Sequence, residues 1–270
     1  MTTAAALSTK TTGVGALLRA WRDRRRISQL ELALRADSSA RHISFIETGR
    51  SRPSADLVLR LAEHLDVPVR ERNALLVAAG YAPRFPETPM DDPSMEALRT
   101  GMERMLTAYE PFPALVMDGT YDVQAANRGI TVLLEGVDPS LLRPPLNAMR
   151  ITLHPRGLAP RIRNFLEWRA HLFAQMERQL ALLRSAPLRA LHDEVRGYPL
   201  PDGGREDADL GEHPPFALPL RIEHRGAVLS FISTLATFNT PMDVTVSELA
   251  VETFLPADPQ TAAALRTWSL

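Results

Sequence analysis

The chain has 270 residues, enough for two domains, and is 45% hydrophobic and 23% charged, an ordinary globular composition. It holds no cysteine, which excludes disulfides, thiolate metal sites and a thiol nucleophile. The net charge of −1 conceals a division: residues 1–86 hold 14 Lys/Arg against 8 Asp/Glu, and residues 87–270 hold 17 against 24. A basic front suits phosphate contact, and an acidic back argues against nucleic acid wrapping the whole chain.

Residues 1–12 are rich in Thr and Ala, lack the basic-then-apolar pattern of a signal peptide, and read as a disordered tail. A first helix is predicted near Val14–Arg25, where Val14, Leu17, Leu18 and Trp21 form one apolar stripe. Arg22, Arg24, Arg25 and Arg26 crowd its end, where cations favour the helix dipole. A second helix opens at Ser28, which has capping-box spacing with Glu31. A third opens at Ser39, buries Ile43 and Ile46, and stops at Gly49. A fourth follows Pro53-Ser54 with Leu57, Val58, Leu61, Ala62 and Leu65 inward, and a fifth runs near Val69–Ala79 to Gly80. Residues 13–80 therefore read as an all-α domain of five helices. Pro83, Pro86, Pro89 and Pro93 make residues 81–93 an extended linker.

Residues 94–270 change character. A helix capped by Ser94 places Met95, Leu98, Met102, Met105 and Leu106 inward and ends before Pro111. Ala114–Met117 and Tyr121–Ala126 are strand-like, with Asp118-Gly119-Thr120 as the turn of a hairpin. Asn127 caps a short helix to about Leu134, and irregular chain follows through Pro155. A long helical stretch is predicted for Leu158–Ser185, resuming after Pro187 as Leu188–Val195. Residues 197–215 read as a Gly-, Pro- and acid-rich loop. Strands are predicted at Ala217–His224, Ala227–Phe238 and Val244–Thr253, with Arg225-Gly226 as a hairpin turn, and a last helix at Ala262–Trp268. Two hairpins around a helical insertion give an α+β domain, an antiparallel sheet with helices on one face.

The second and third helices are fit to place one helix in a DNA major groove. Ser28, Gln29, Leu32, Ala33, Ile43, Ser44, Ile46, Glu47, Gly49, Arg50 and Pro53 together resemble the lambda-repressor-like, XRE-type helix-turn-helix family. The resemblance implies that Gln29 contacts a phosphate at a helix N-terminus. Ser39, Ala40, Arg41, Ser44 and Phe45 would lie at the groove, with Arg41 the best candidate for a bidentate guanine contact. Arg50 and Arg52 would hold the backbone. Asp37 stands where the family usually has glycine, and Ser38 where it has a buried valine. Asp tolerates left-handed backbone, so the turn is expected to survive.

The larger part of the chain resembles the MmyB-like regulators, which join such a helix-turn-helix to a PAS-like ligand-binding domain. The resemblance rests on Ala114-Leu-Val-Met-Asp, Ala126-Asn127-Arg128, Asn147-Ala-Met-Arg, His154-Pro155, Arg161-x-Arg163-Asn164-Phe, Leu229-Ser-Phe, Pro241-x-Asp243-Val and Phe254-x-Pro-Ala-Asp258. It implies a cytoplasmic transcription regulator with an apolar pocket that can accept a fatty acyl chain. Phe165, Trp168 and Phe231 are candidate lining residues, although an ordinary core has the same apolar composition. A buried ligand carboxylate needs a partner. Arg163, Asn164, Asn127 and Arg150 are the candidates, in that order. Each also has a structural alternative, as a cap or a solvated side chain.

The expected function is ligand-responsive transcription regulation. The partners are a double-stranded DNA operator, an inverted repeat read by a homodimer, and a small apolar ligand. No membrane contact, catalytic residue, metal or cofactor is expected: no Gly-x-Ser-x-Gly, phosphate loop or dinucleotide fingerprint occurs. The alternative is a DNA-binding protein whose second domain serves only dimerisation or protein contacts.

Overall fold

The structure, a computed structural model, describes residues 13–183, 185–201 and 217–268. The expected tail at 1–12 and most of the expected acidic loop lie outside them. The chain divides into two units: residues to Glu87 together with Pro241–Val244, and Thr88–Thr240 together with the chain from Thr245.

The first unit contains α1 (Val14–Arg24), α2 (Gln29–Arg35), α3 (Ala40–Glu47), α4 (Ala55–His64) and α5 (Val69–Ala78). Serine hydroxyls start three of them. Ser28 accepts from Glu31 N at 3.0 Å, Ser39 from His42 N at 3.1 Å, and Ser54 from Leu57 N at 3.2 Å. Only half of the expected capping box forms, because the Glu31 carboxylate pairs with Arg35 one turn on, at 2.6 Å. The turn between α2 and α3 closes with Asp37 at φ +48, the left-handed geometry its residue type tolerates. Leu18, Trp21, Leu32, Ile43, Ile46, Leu61, Leu65 and Leu75 form the core. The end of α1 is tied down by Arg25, which donates to Leu65 O and Asp66 O at the end of α4. The unit extends beyond the five helices into the expected linker. Asn73 accepts from Arg84 N and Phe85 N and donates to Phe85 O, and Arg70 pairs with Glu87.

The second unit opens with a 3-10 turn at Pro93–Met95, capped by Asp92 rather than Ser94, and α6 (Glu96–Ala108). Its sheet contains β1 (Ala114–Met117), β2 (Val123–Ala126), β3 (Leu220–His224), β4 (Ala227–Thr237) and β5 (Ala250–Pro256). All neighbours are antiparallel, in the order β2-β1-β5-β4-β3. Between the hairpins lie α7 (Thr131–Leu134), α8 (Ala148–Leu153), α9 (Phe165–Leu182) and α10 (Ala186–Arg196). A short α11 (Val244–Glu248) precedes β5, and α12 (Pro259–Trp268) follows it.

Several expectations are corrected. The stretch 244–248 is helix, and the last strand starts at Ala250. The region expected to be irregular contains α8, whose N-cap Asn147 accepts from Arg150 N at 3.1 Å. The long helix begins at Phe165, because Ile162 is drawn into a bridge with Ile222 of β3. Pro187 sits in the first turn of α10, where its missing N–H costs nothing. Helices also cover both faces of the sheet rather than one. Leu115 and Met117 face the insertion, while Ala114, Val116 and Val251 face Met102 and Leu106 of α6. Met105 is 46% exposed and takes no part in that contact.

The crossing of α1 and α3 depends on Gly15, where a Cβ would lie 2.1 Å from Ile46 O. Gly15→Ala should lower the free energy of unfolding by about 2 kcal/mol through overpacking. Urea unfolding followed by far-UV circular dichroism measures this, and unchanged stability would contradict so close a crossing.

Candidate functional site

The outer face of α3 carries Ala40, Arg41, Ser44 and Phe45, while Ile43 and Ile46 hold its inner face in the core. Arg41 is exposed and its guanidinium lies 5.2 Å from the centroid of Phe45. Arg50 lies 5.9 Å from the same ring on its other flank in sequence. Two cations beside one ring are steered as well as charged. Ser39 is occupied as the cap of α3.

Behind this face lies a buried polar cluster. Arg22 Nε and Nη2 donate to the Glu47 carboxylate at 2.6 and 3.0 Å, and Nη1 donates to Ile27 O at 2.9 Å. Gln29 Nε2 donates to Glu47 Oε2 at 2.8 Å. The Glu47 side chain is 3% exposed, and its hydrogen bond raises the Arg22 pKa above the usual guanidinium value. The cluster joins α1, the start of α2 and the end of α3 through one bidentate carboxylate. The amide donor of Gln29, expected at a phosphate, therefore points at Glu47. Arg52 is likewise turned inward: it donates to Ala79 O and Gly80 O at 2.8 and 3.0 Å, closing the end of α5, and lies over Tyr81.

In the second unit a cavity of about 160 Å³ lies between the sheet and the helical insertion. The first hairpin supplies Leu115, Tyr121, Val123 and Ala126; the chain through α7 supplies Ile130, Leu133 and Leu134. Ala148, Met149, Ile151 and Thr152 come from α8, Trp168 and Leu172 from α9, and Leu220, Glu252 and Phe254 from the sheet. An engineered core cavity of about 150 Å³ admits benzene, which sets the scale of an occupant. A mostly apolar wall with few polar groups is the usual character of a small-molecule site.

Of the seven residues expected at the ligand, only Trp168 lines this cavity. Asn127 is 7% exposed and joins three segments: Oδ1 accepts from Ala114 N at 3.0 Å, and Nδ2 donates to Leu106 O and Phe112 O at 3.1 and 2.8 Å. Asn164, 1% exposed, accepts from Arg221 N and donates to Pro219 O, holding the start of α9 to β3. Arg150 forms a two-bonded pair with Glu194, at 2.8 and 2.7 Å, which Tyr198 joins through its hydroxyl. Burial and Glu194 push the Tyr198 hydroxyl up to about 12, while Arg150 holds the Glu194 carboxyl below its usual value. Arg163 pairs with Glu223 at 2.7 Å. Phe165 is core, and Phe231 packs edge-to-face behind Phe254, their centroids 6.1 Å apart.

The residues missed were Tyr121 and Glu252, the polar groups on the hairpin and sheet walls. The signal for Glu252 was its register: strand alternation puts it on the face of Ala250 and Phe254, the apolar one. Among the described residues no His, Asp and Glu cluster has the arrangement of a metal site, and no helix is long and apolar enough to cross a membrane.

A helix-turn-helix unit joined to an α+β domain with an apolar cavity is the architecture of a transcription regulator. The family pattern of the MmyB-like transcription regulator ligand binding domain matches residues 98–267, and that of a helix-turn-helix family matches residues 18–72. The chain belongs to the MmyB-like transcription regulators, and is a DNA-binding transcription regulator. No curated protein matches it.

Since Asn127 satisfies three backbone groups, Asn127→Ala should destabilise the protein by about 3 kcal/mol. Urea unfolding measures the loss. A residue serving only a ligand would leave the unliganded protein unchanged.

Proposed function

We propose that the protein is a ligand-responsive regulator in the cytoplasm, which reads an inverted-repeat operator as a homodimer and binds a small apolar molecule in its second domain. The observation that carries the reading is the apolar cavity beneath the sheet, which an ordinary close-packed core would fill. Its size supports a compact occupant. A long fatty acyl chain, the occupant implied by family resemblance, requires it to widen. The five-stranded antiparallel sheet with its helical insertion supports the PAS-like reading.

On the DNA side, Arg41 is the base reader of the proposal, with Ala40, Ser44 and Phe45 beside it and Arg50 at the backbone. The exposed Arg41 guanidinium, on the outer face of α3, supports this. Gln29 contributes through the backbone amides at the start of α2 and by orienting Glu47. A homodimer would place two such helices about one turn of DNA apart. No regulatory coupling follows unless the ligand prefers one of two DNA-binding states.

Arg41→Ala should relax base choice at one position per half-site, at a cost of about 1–3 kcal/mol on the preferred operator. Selection from a random DNA pool, followed by fluorescence anisotropy, reads both effects; an unchanged site preference would displace Arg41 from this role. Native mass spectrometry of the purified protein should show a reproducible small-molecule adduct that heating in alcohol removes. If there is no adduct and no apolar compound raises the melting temperature, the second domain serves dimerisation or protein contacts instead.

A further inference from the structure

The cavity contains a carboxyl group without a cation. Among the described residues Glu252 is the only charged one lining it, and no Lys, Arg or His joins the wall. Its Oε1 accepts from Ser233 Oγ at 2.5 Å, and Oε2 has no hydrogen-bond partner among the described residues. Burial pushes this carboxyl up, opposed only by the Ser233 hydroxyl. Tyr121 is 3% exposed, lines the same cavity, and its buried hydroxyl has no partner. Tyr121 is fixed in place by two bonds around it: Ala148 N donates to Tyr121 O at 2.9 Å, and Asn147 Nδ2 donates to Thr120 O at 2.8 Å. Burial and, less, Glu252 disfavour ionisation of the phenol, and the exposed Arg178, outside the wall, acts on it in the opposite sense.

A buried polar group without a partner is costly, so the unpaired Tyr121 phenol calls for a hydrogen-bonding group in the cavity, whose wall also carries the Glu252 carboxyl. A hydroxyl or amino group can donate to Glu252 and accept from, or donate to, Tyr121. A carboxylate cannot donate, and would enter a site holding one acid and no cation. We infer that Glu252 and Tyr121 select a ligand with a compact apolar body and a hydrogen-bond-donating head, a hydroxyl or an amine, and reject carboxylates. The inference deepens the ligand-binding reading above and rests on it.

Calorimetric titration of the full chain with benzyl alcohol, benzylamine, benzoate and toluene tests it, since the four share one apolar body. Benzyl alcohol or benzylamine should bind about tenfold more tightly than benzoate. Whichever of the two binds more tightly identifies the head. In Glu252→Gln the disadvantage of benzoate should shrink to about threefold or less, because the new amide can donate to a ligand carboxylate. In Tyr121→Phe the preferred probe should weaken by about threefold or more. Benzoate binding as tightly as the alcohol and the amine overturns the inference. So does an unchanged ranking in the Glu252 variant or, should that variant not fold, an unchanged affinity in the Tyr121 variant. If toluene binds and the heads are not discriminated, the cavity reading stands and this inference fails. If none of the four binds, both fail.

Discussion

The second domain depends on the insertion of β5 between β1 and β4. The strand pairs along Ala114–Met117 on one side and Phe231–Thr237 on the other, so its backbone joins two hairpins separated by 93 residues of chain. Each buried backbone N–H and C=O on it must find a partner, and only the two flanking strands supply them. This pairing fixes register, and register fixes faces. Leu115 stands opposite Glu252, which directs both toward the helical insertion, while Val116 and Val251 turn to α6. A shift of one residue would put the carboxyl of Glu252 against Met102 and Leu106 of α6 and leave the cavity without its acid.

The insertion is held to the sheet by polar groups that read in sequence as ligand contacts. Asn127 and Asn164 have conformations and partners that a helix or strand ladder cannot provide. Each satisfies backbone groups left over where one element ends and another begins. Arg150 and Arg163 meet Glu194 and Glu223 instead of a ligand. The rule that a buried carboxylate needs a cation was sound; Arg150 and Arg163 are engaged elsewhere, and the charged group on the cavity wall is Glu252.

In the first unit a similar economy operates around Glu47. One carboxylate binds Arg22 and Gln29 and so couples the start of α2 to the end of α3. The angle of the outer face of α3, with Arg41 and Phe45, follows from that cluster and from Gly15, which lets α1 approach Ile46. Arg52 shows how sequence position misleads. It follows the recognition helix closely, but its guanidinium reaches the carbonyls that α5 leaves free at Ala79 and Gly80.

Local physics was legible in the sequence. Serine caps, apolar periodicity, Gly49, Gly80 and Arg225-Gly226 mark where the chain starts, stops and turns, because those properties act over a few residues. Five helices, two hairpins, the helix-turn-helix and the family's ligand-binding domain followed from them. The α8 helix and the helix at 244–248 did not, since both are short and their formation is decided by packing. Beyond the strand alternation that marks Glu252, the polar residues of the cavity were also out of reach. Whether an Asn, Arg or Glu faces a ligand or a backbone carbonyl depends on what lies within about 3 Å, a matter of partners distant in sequence. Sequence alone determined most of the elements and the kind of protein; the tertiary structure decided which polar groups hold it together and that Glu252 and Tyr121 line the cavity.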